Sequence, residues 1–264
     1  MKGLKKYLIT RKNAINLLLE KPPQFFTPST FHLLRVEIKK IYAFFELLES
    51  CSKDFKRDNA FKPFRKIFRQ AGKVREIQVE QMLLKKYFTD TQLIGYRKSL
   101  LIQRSAERTA FFELINETLA VRLNKSFRDT IPVLATIDKK KVDIYLKKKR
   151  NKILKHLIQY ELIPDQIHEL RKLLKCYYYN KTAIEKGIQN SITQKQTQLT
   201  DLLGKWHNSY IIYLHLKKAI SMAGINPEEV SQIQKLMETI SSEIEIKLIK
   251  IKKSVSGIKF SEAP

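Results

Sequence analysis

"FHLLRVEIKKIY", residues 31–42, sets apolar and charged side chains at helical rather than strand intervals. At about 100° per residue, His32, Arg35, Lys39 and Tyr42 fall within a quarter of the circumference. Leu34, Ile38, Ile41, Phe45 and Leu48 lie opposite. The stretch predicts an amphipathic helix whose polar face carries a histidine and a ladder of cations. Residues 167–178, "IHELRKLLKCYY", repeat the spacing with His168, Arg171, Lys175 and Tyr178 against Leu170, Leu174 and Tyr177. A solvated charged face is the commonest explanation of one such stripe. Its return at an equivalent place argues for a shared task, and neither histidine sits on the apolar side as a core histidine does.

Working outward, the composition favours long helices. Seven glycines and eight prolines leave little material for turns among 264 residues, and 43% hydrophobic content is ample for a core. The formal charge of +25 far exceeds the magnitude of about 2–8 that suits a small soluble domain. Such self-repulsion calls for an anionic partner: nucleic acid, an anionic membrane or an inorganic polyanion. A lysine-rich composition with no partner is the plain alternative. Cys51 and Cys176 have neither metal-ligand spacing nor a disulfide framework, as in a reducing compartment. No apolar run reaches the roughly 18–20 residues of a membrane helix. Arg11, Lys12 and Asn13 interrupt the apolar N-terminal stretch, which reads as a first amphipathic helix and not as a signal peptide. A cytoplasmic protein is expected.

Proline, glycine and polar breaks mark eight helical segments, roughly 3–20, 29–52, 60–88, 91–126, 138–161, 164–183, 190–223 and 226–254. Thr27 or Ser29 suits the N-cap of the second. Pro164 and Pro227 suit the first turns of the sixth and eighth, where Glu228 and Glu229 also complement the helix dipole. His32 lies in the second helix of the first four segments and His168 in the second of the last four. The third helices echo each other too: "FRQAGKVREIQV" (68–79) aligns with "LTDLLGKWHNSYI" (199–211), pairing Gly72-Lys73 with Gly204-Lys205. A glycine inside a helix costs about 1 kcal/mol relative to alanine. Close helix contact or close ligand approach would explain two of them. Duplication is the economical reading. In the third segment Lys62, Arg65, Lys66, Arg69 and Lys73 form a stripe backed by Phe64, Ile67, Ala71 and Val74.

These residues resemble the CHAD domain, a histidine-containing α-helical family. The resemblance rests on His32-x-x-Arg35-x-x-x-Lys39-Lys40, on Phe64-Arg65 leading to Gly72-Lys73-Val74-Arg75-Glu76-Ile77-Gln78-Val79, on His168-x-x-Arg171-x-x-x-Lys175 and on Leu203-Gly204-Lys205-Trp206-His207-Asn208. It covers essentially the whole chain. The family commonly follows Gly-x-x-Arg with Asp-x-Asp; here Glu76 and Gln78, then Asn208 and Tyr210, stand instead, and His207 replaces the second arginine. The resemblance implies an all-α fold of two four-helix bundles, 1–127 and 128–264, related by a pseudo-twofold axis around a basic central groove or pore. It also implies non-catalytic binding of inorganic polyphosphate, with sulfate or phosphate as stand-ins, association with polyphosphate granules, and no cofactor.

The polymer's chemistry suits these side chains. Polyphosphate carries about one charge per phosphate and no bases, so it needs cations at repeated spacing and no stacking platform. Arginine offers a planar fork, lysine a mobile point charge, and histidine a donor that can become cationic. The candidate contacts are His32, Arg35, Lys39, Lys40, Arg65, Lys66, Arg69, Lys73 and Arg75 in the first half. In the second they are His168, Arg171, Lys172, Lys175, Lys205 and His207. By analogy with nucleic acids, displaced counterions would supply much of the affinity.

Nucleic-acid binding is the alternative function. "KKKVDIYLKKKRNKILKH" (139–156) is a basic helix, yet Val142, Leu146 and Ile153 suit a core-facing side, and no zinc-finger or RNA-binding aromatic motif is present. Membrane attachment is less favoured, because Phe44, Phe45 and Phe64 are placed for the interior. "EIEIK" (243–247) superficially matches the Glu-x-Glu-x-Lys element of the triphosphate-tunnel CYTH enzymes. Ile233, Met237, Ile240, Ile244, Leu248 and Ile251 keep helical spacing through it, and too few residues follow for a β-barrel, so the match is read as chance. No phosphate-cradling glycine loop, nucleophile motif or metal-type histidine pair appears; His156, His207 and His215 are scattered. No catalysis is expected.

Overall fold

The computed structural model describes residues 2–158, 163–184, 194–221 and 225–256, and these are helical throughout apart from turns. The helices are α1 (Lys2–Leu19), α2 (Pro28–Cys51), α3 (Arg57–Tyr87), α4 (Ile94–Glu113), α5 (Glu117–Val133), α6 (Lys139–Ile158), α7 (Pro164–Ile184), α8 (Gln194–Ala219) and α9 (Pro227–Ser256). The all-α expectation holds. Expected helix ends at 159–161, 190–193 and 222–223 lie outside the described residues.

Local signals account for the boundaries. Thr27 caps α2 by accepting a hydrogen bond from the Thr30 amide, with Pro28 as the first helical residue. Pro164 and Pro227 open α7 and α9. The fourth expected segment, 91–126, is two helices. Asn116 accepts from the Leu119 amide at 3.0 Å and starts α5, with Glu117 in its first turn. An asparagine N-cap without glycine or proline makes a break that is easy to overlook. "EIEIK" lies wholly within α9, where Glu243 and Lys247 pair one turn apart.

The chain packs as two compact units. Unit 1 comprises Met1–Arg75, Glu107–Ile158 and Lys172–Ile192; unit 2 comprises Glu76–Ala106, Gln159–Arg171 and Thr193–Pro264. They are defined by packing, and each draws on both halves of the sequence. In unit 1, α1 packs on α2 and α5, and α2 on α6. Its core is rich in phenylalanine: Phe26, Phe31 and Phe111 form one aromatic cluster, and Phe45, Phe64 and Phe127 belong to another. Each fully buried phenylalanine contributes roughly 1.5–3 kcal/mol. The predicted apolar face of α2, Leu34, Ile38, Ile41, Phe45 and Leu48, is wholly buried.

Unit 2 has a mainly aliphatic core, with Ile77 and Leu84 from α3, Leu100 from α4, Ile212 and Leu216 from α8, and Ile233 and Ile240 from α9. Leu93, just before α4, has φ 55°, a left-handed conformation uncommon for leucine. Its side chain is buried, and Arg97 donates to the carbonyls of Phe88, Thr89 and Gln92 around it. The side chain's place in the core and these three bonds hold the turn.

Candidate functional site

In unit 1 the polar face of α2 meets the middle of α3. Arg35 Nη1 donates to the Phe68 carbonyl at 2.7 Å, and its guanidinium lies 4.4 Å from the Phe68 ring centroid. Lys39 Nζ lies 5.8 Å from the same centroid. The Phe68 ring is thus a platform under two cations. Gly72, one turn further along α3, explains how the arginine fits: a Cβ there would collide with Arg35 Nη1. The expected close contact at this glycine is therefore an arginine seat.

His32 stands at the centre of a positive field. Solvent reaches its ring, yet partial burial, and then the charges of Arg75, Lys39, Lys175 and Arg35, hold its imidazole below the ordinary histidine value. Those four cations come from α2, α3 and α7. Arg75 is itself half-buried, and burial pushes its guanidinium down, while no described carboxylate lies within ion-pair distance of it. A concentration of positive charge that disfavours even the protonation of its own histidine is suited to a multivalent anion. His32, Arg35, Lys39, Arg75 and Lys175 therefore belong to one constellation.

The other predicted residues of unit 1 have different surroundings. Lys40 is held 2.7 Å from Glu37, a buried carboxylate that also takes Arg11 at 2.8 Å. Arg65 pairs with Asp58 at 2.9 Å, and Lys73 with Glu107 at 3.2 Å, in exposed positions where such pairs contribute little. Arg69 and Lys172 are exposed. Lys66 lines a separate cleft between α3 and α5.

In unit 2, His168 on α7 and His207 on α8 bring their rings to 4.7 Å between centroids, tilted by 36°. His207 is three residues beyond Gly204, as Arg75 is three beyond Gly72. Each histidine helix thus meets the equivalent position on its following helix. Lys205 is exposed and Arg171 half-buried. Gly204 differs from Gly72: a Cβ there meets nothing within 4 Å among the described residues. The expectation of close packing holds at one glycine only. Tyr178 also departs from expectation. It is 7% exposed and joins Tyr177 at the interior, whereas Tyr42 remains 38% exposed beside Arg57. The second stripe is shorter than the first because its tyrosine is drawn into the core.

Two groups escaped sequence reading. Phe68 looked like one more apolar residue of α3, although it serves as the cation platform. Glu80 is 2% exposed, accepts a hydrogen bond from the Tyr96 hydroxyl, and lies 2.9 Å from His215 Nδ1. That hydrogen bond raises the His215 imidazole above its ordinary value, with burial opposing. A glutamate on the inner face of α3 was the available signal, and its partner lies 135 residues away.

No group of histidine, cysteine or acidic side chains that could hold a metal ion occurs among the described residues. No described helix is long and apolar enough to cross a membrane.

Comparison with known proteins adds a family and a fold. The family model described as the CHAD domain matches residues 22–217. Among solved structures, PptA from Streptomyces chartreusis has a TM-score of 0.75 at 12% identity, covering 97% of this chain and 98% of that one. The crystal structure of the CHAD domain from the plant Ricinus communis has a TM-score of 0.79 at 12% identity, covering 98% of this chain and 92% of that one. At such identity these likenesses carry the fold alone. No curated protein matches the sequence.

Proposed function

The chain belongs to the CHAD-domain family, and from that premise we propose that it binds inorganic polyphosphate without catalysing a reaction on it. The observation that carries the reading is the constellation around His32, where the charges of cations from three helices converge on one imidazole. Arg35 is fixed on Phe68 and so loses little freedom when a phosphate arrives. Lys39 and Lys175 supply mobile charges, and Arg75 a fork held partly out of water. His168, Arg171, Lys205 and His207 form the matching contact set of unit 2. The duplicated spacing supports an origin as two four-helix repeats, 1–127 and 128–264. Sulfate or phosphate occupies the same positions weakly, and the cellular setting we propose is the cytoplasm, at polyphosphate granules.

Replacing His32, Arg35 and Lys39 together by alanine tests the reading. Three lost charge-assisted contacts are expected to weaken long-chain polyphosphate binding by about a hundredfold or more, with helicity by circular dichroism unchanged. Unaltered affinity removes the site assignment. Competition addresses the nucleic-acid alternative: long-chain polyphosphate should stay bound in excess DNA at matched salt, and displacement by DNA favours a nucleic-acid binder instead.

A further inference from the structure

We propose that the cleft between α3 and α5 in unit 1 is a second binding site, for a soluble organic anion with an apolar body. The cleft has a volume of about 860 Å³, within the range of about 300–1,000 Å³ that accommodates whole small molecules. Its inner wall includes Phe55, Pro63, Ile67, Leu119 and Val133. The two buried hydroxyls of the lining are already engaged: Ser126 donates to the Ala60 carbonyl at 2.7 Å and Thr130 to the Ser126 carbonyl at 2.8 Å. The interior therefore offers contact area with little demand for hydrogen bonds.

The rim is cationic. Lys62 and Lys66, one turn apart on α3, line the cleft together with Arg122 and Lys125 of α5 and with Lys56. All five are exposed, and none lies within ion-pair distance of a described carboxylate. Among the described residues Asp54 and Asp129 are the acidic side chains that line the cleft, so five cations stand against two carboxylates.

This combination distinguishes the ligand from polyphosphate. A bare phosphate chain gains nothing from an apolar wall and would be held by the rim cations alone. An alkyl or aryl phosphate or carboxylate uses both parts, its body against the wall and its single acidic head among the rim cations. The cleft is also a different place from the His32 constellation. Lys66, which the sequence groups with Arg65 and Arg69, turns to this cleft together with Lys62.

Isothermal titration with octyl phosphate, butyl phosphate and inorganic phosphate tests the proposal. Octyl phosphate is expected to bind the wild type at least tenfold more tightly than either shorter probe. The double charge reversal Lys62→Glu with Arg122→Glu, at exposed positions, is expected to weaken octyl phosphate at least tenfold and long-chain polyphosphate less than threefold. The His32, Arg35 and Lys39 alanine variant is expected to keep octyl phosphate affinity, so failure of either site leaves the other readable. Equal binding of octyl and inorganic phosphate overturns the proposal, as does octyl phosphate binding that survives the charge reversal. Capture on phosphatidate vesicles with no binding of soluble octyl phosphate overturns it too.

Discussion

His32 and His168 occupy the same place in a repeated spacing and end in different company. His32 sits among permanent cations, with Arg75 the foremost charge acting on it. His168 instead meets a second imidazole, His207, at the position equivalent to Arg75. The glycines diverge in the same sense: Gly72 makes room for a seated arginine, and a Cβ at Gly204 meets nothing within 4 Å among the described residues. Spacing alone determines which positions meet. The residue type at the meeting point determines whether the charge is fixed or depends on pH, since histidine titrates near 6.5 and arginine does not. At the equivalent positions unit 1 therefore carries a permanent cation and unit 2 an imidazole, a group whose charge depends on pH.

The two cores differ as well, and the largest expected effect breaks that contrast. Unit 1 is held by phenylalanine clusters; unit 2 encloses the Glu80 carboxylate with Tyr96 and His215. His215→Ala leaves a buried carboxylate short of a partner, and is expected to cost on the order of 3 kcal/mol of stability. The folded-state pKa of His215 is raised, so its contribution is fully present below the unfolded value of about 6.5 and fades as pH rises through the folded one. Thermal melts from pH 6 to 8.5 should show the wild type losing its advantage over the variant. A constant difference across that range means that Glu80 does not rely on a charged imidazole.

Next in size is the exchange at the equivalent positions. Arg75→Ala is expected to weaken polyphosphate binding by about 10- to 100-fold at pH 7.5, as for a lost charged hydrogen bond of about 1.5–3 kcal/mol. His207→Ala should change it little at that pH and more at pH 5.5. His207→Arg sharpens the comparison by giving unit 2 a permanent cation, and should raise affinity and flatten the pH profile. Equal effects of Arg75→Ala and His207→Ala at both pH values would erase the distinction.

The glycines give the smallest effects. Gly204→Ala should stabilise the protein by up to about 1 kcal/mol with binding unchanged. Gly72→Ala gains the same helix propensity but displaces the end of the Arg35 side chain, which can move without unfolding anything. A several-fold loss of polyphosphate affinity with no loss of melting temperature is expected. If Gly72→Ala instead leaves binding intact, the arginine seat has no role in recognition.

Much of this was legible in the sequence because helices report their own faces. The buried side of α2 follows from the spacing of Leu34, Ile38, Ile41, Phe45 and Leu48, and the caps at Thr27, Pro164 and Pro227 from elementary N-terminal chemistry. The family motifs named His32, and with it Arg35, Lys39, Arg75 and Lys175, whose charges the fold brings to bear on that one imidazole. What stayed hidden depends on side chains that meet from distant segments. Nothing in the order of residues assigns Phe68 to Arg35, turns Lys66 away from Arg65, or draws Tyr178 inward while Tyr42 stays exposed. Glu80 and His215 looked unremarkable apart. The break at Asn116 rests on a single capping asparagine with no proline or glycine beside it, so it leaves little trace in the order of residues.

The most direct measurement is the titration of the His32 imidazole by NMR, followed with and without long-chain polyphosphate. Free protein should titrate below about 6.5, owing to burial and the nearby charges of Arg75, Lys39, Lys175 and Arg35. Bound phosphate should move the midpoint upward, so that affinity rises as pH falls through the interval between the two midpoints. A His32 titration unmoved by saturating polyphosphate would place the polymer elsewhere and contradict the account.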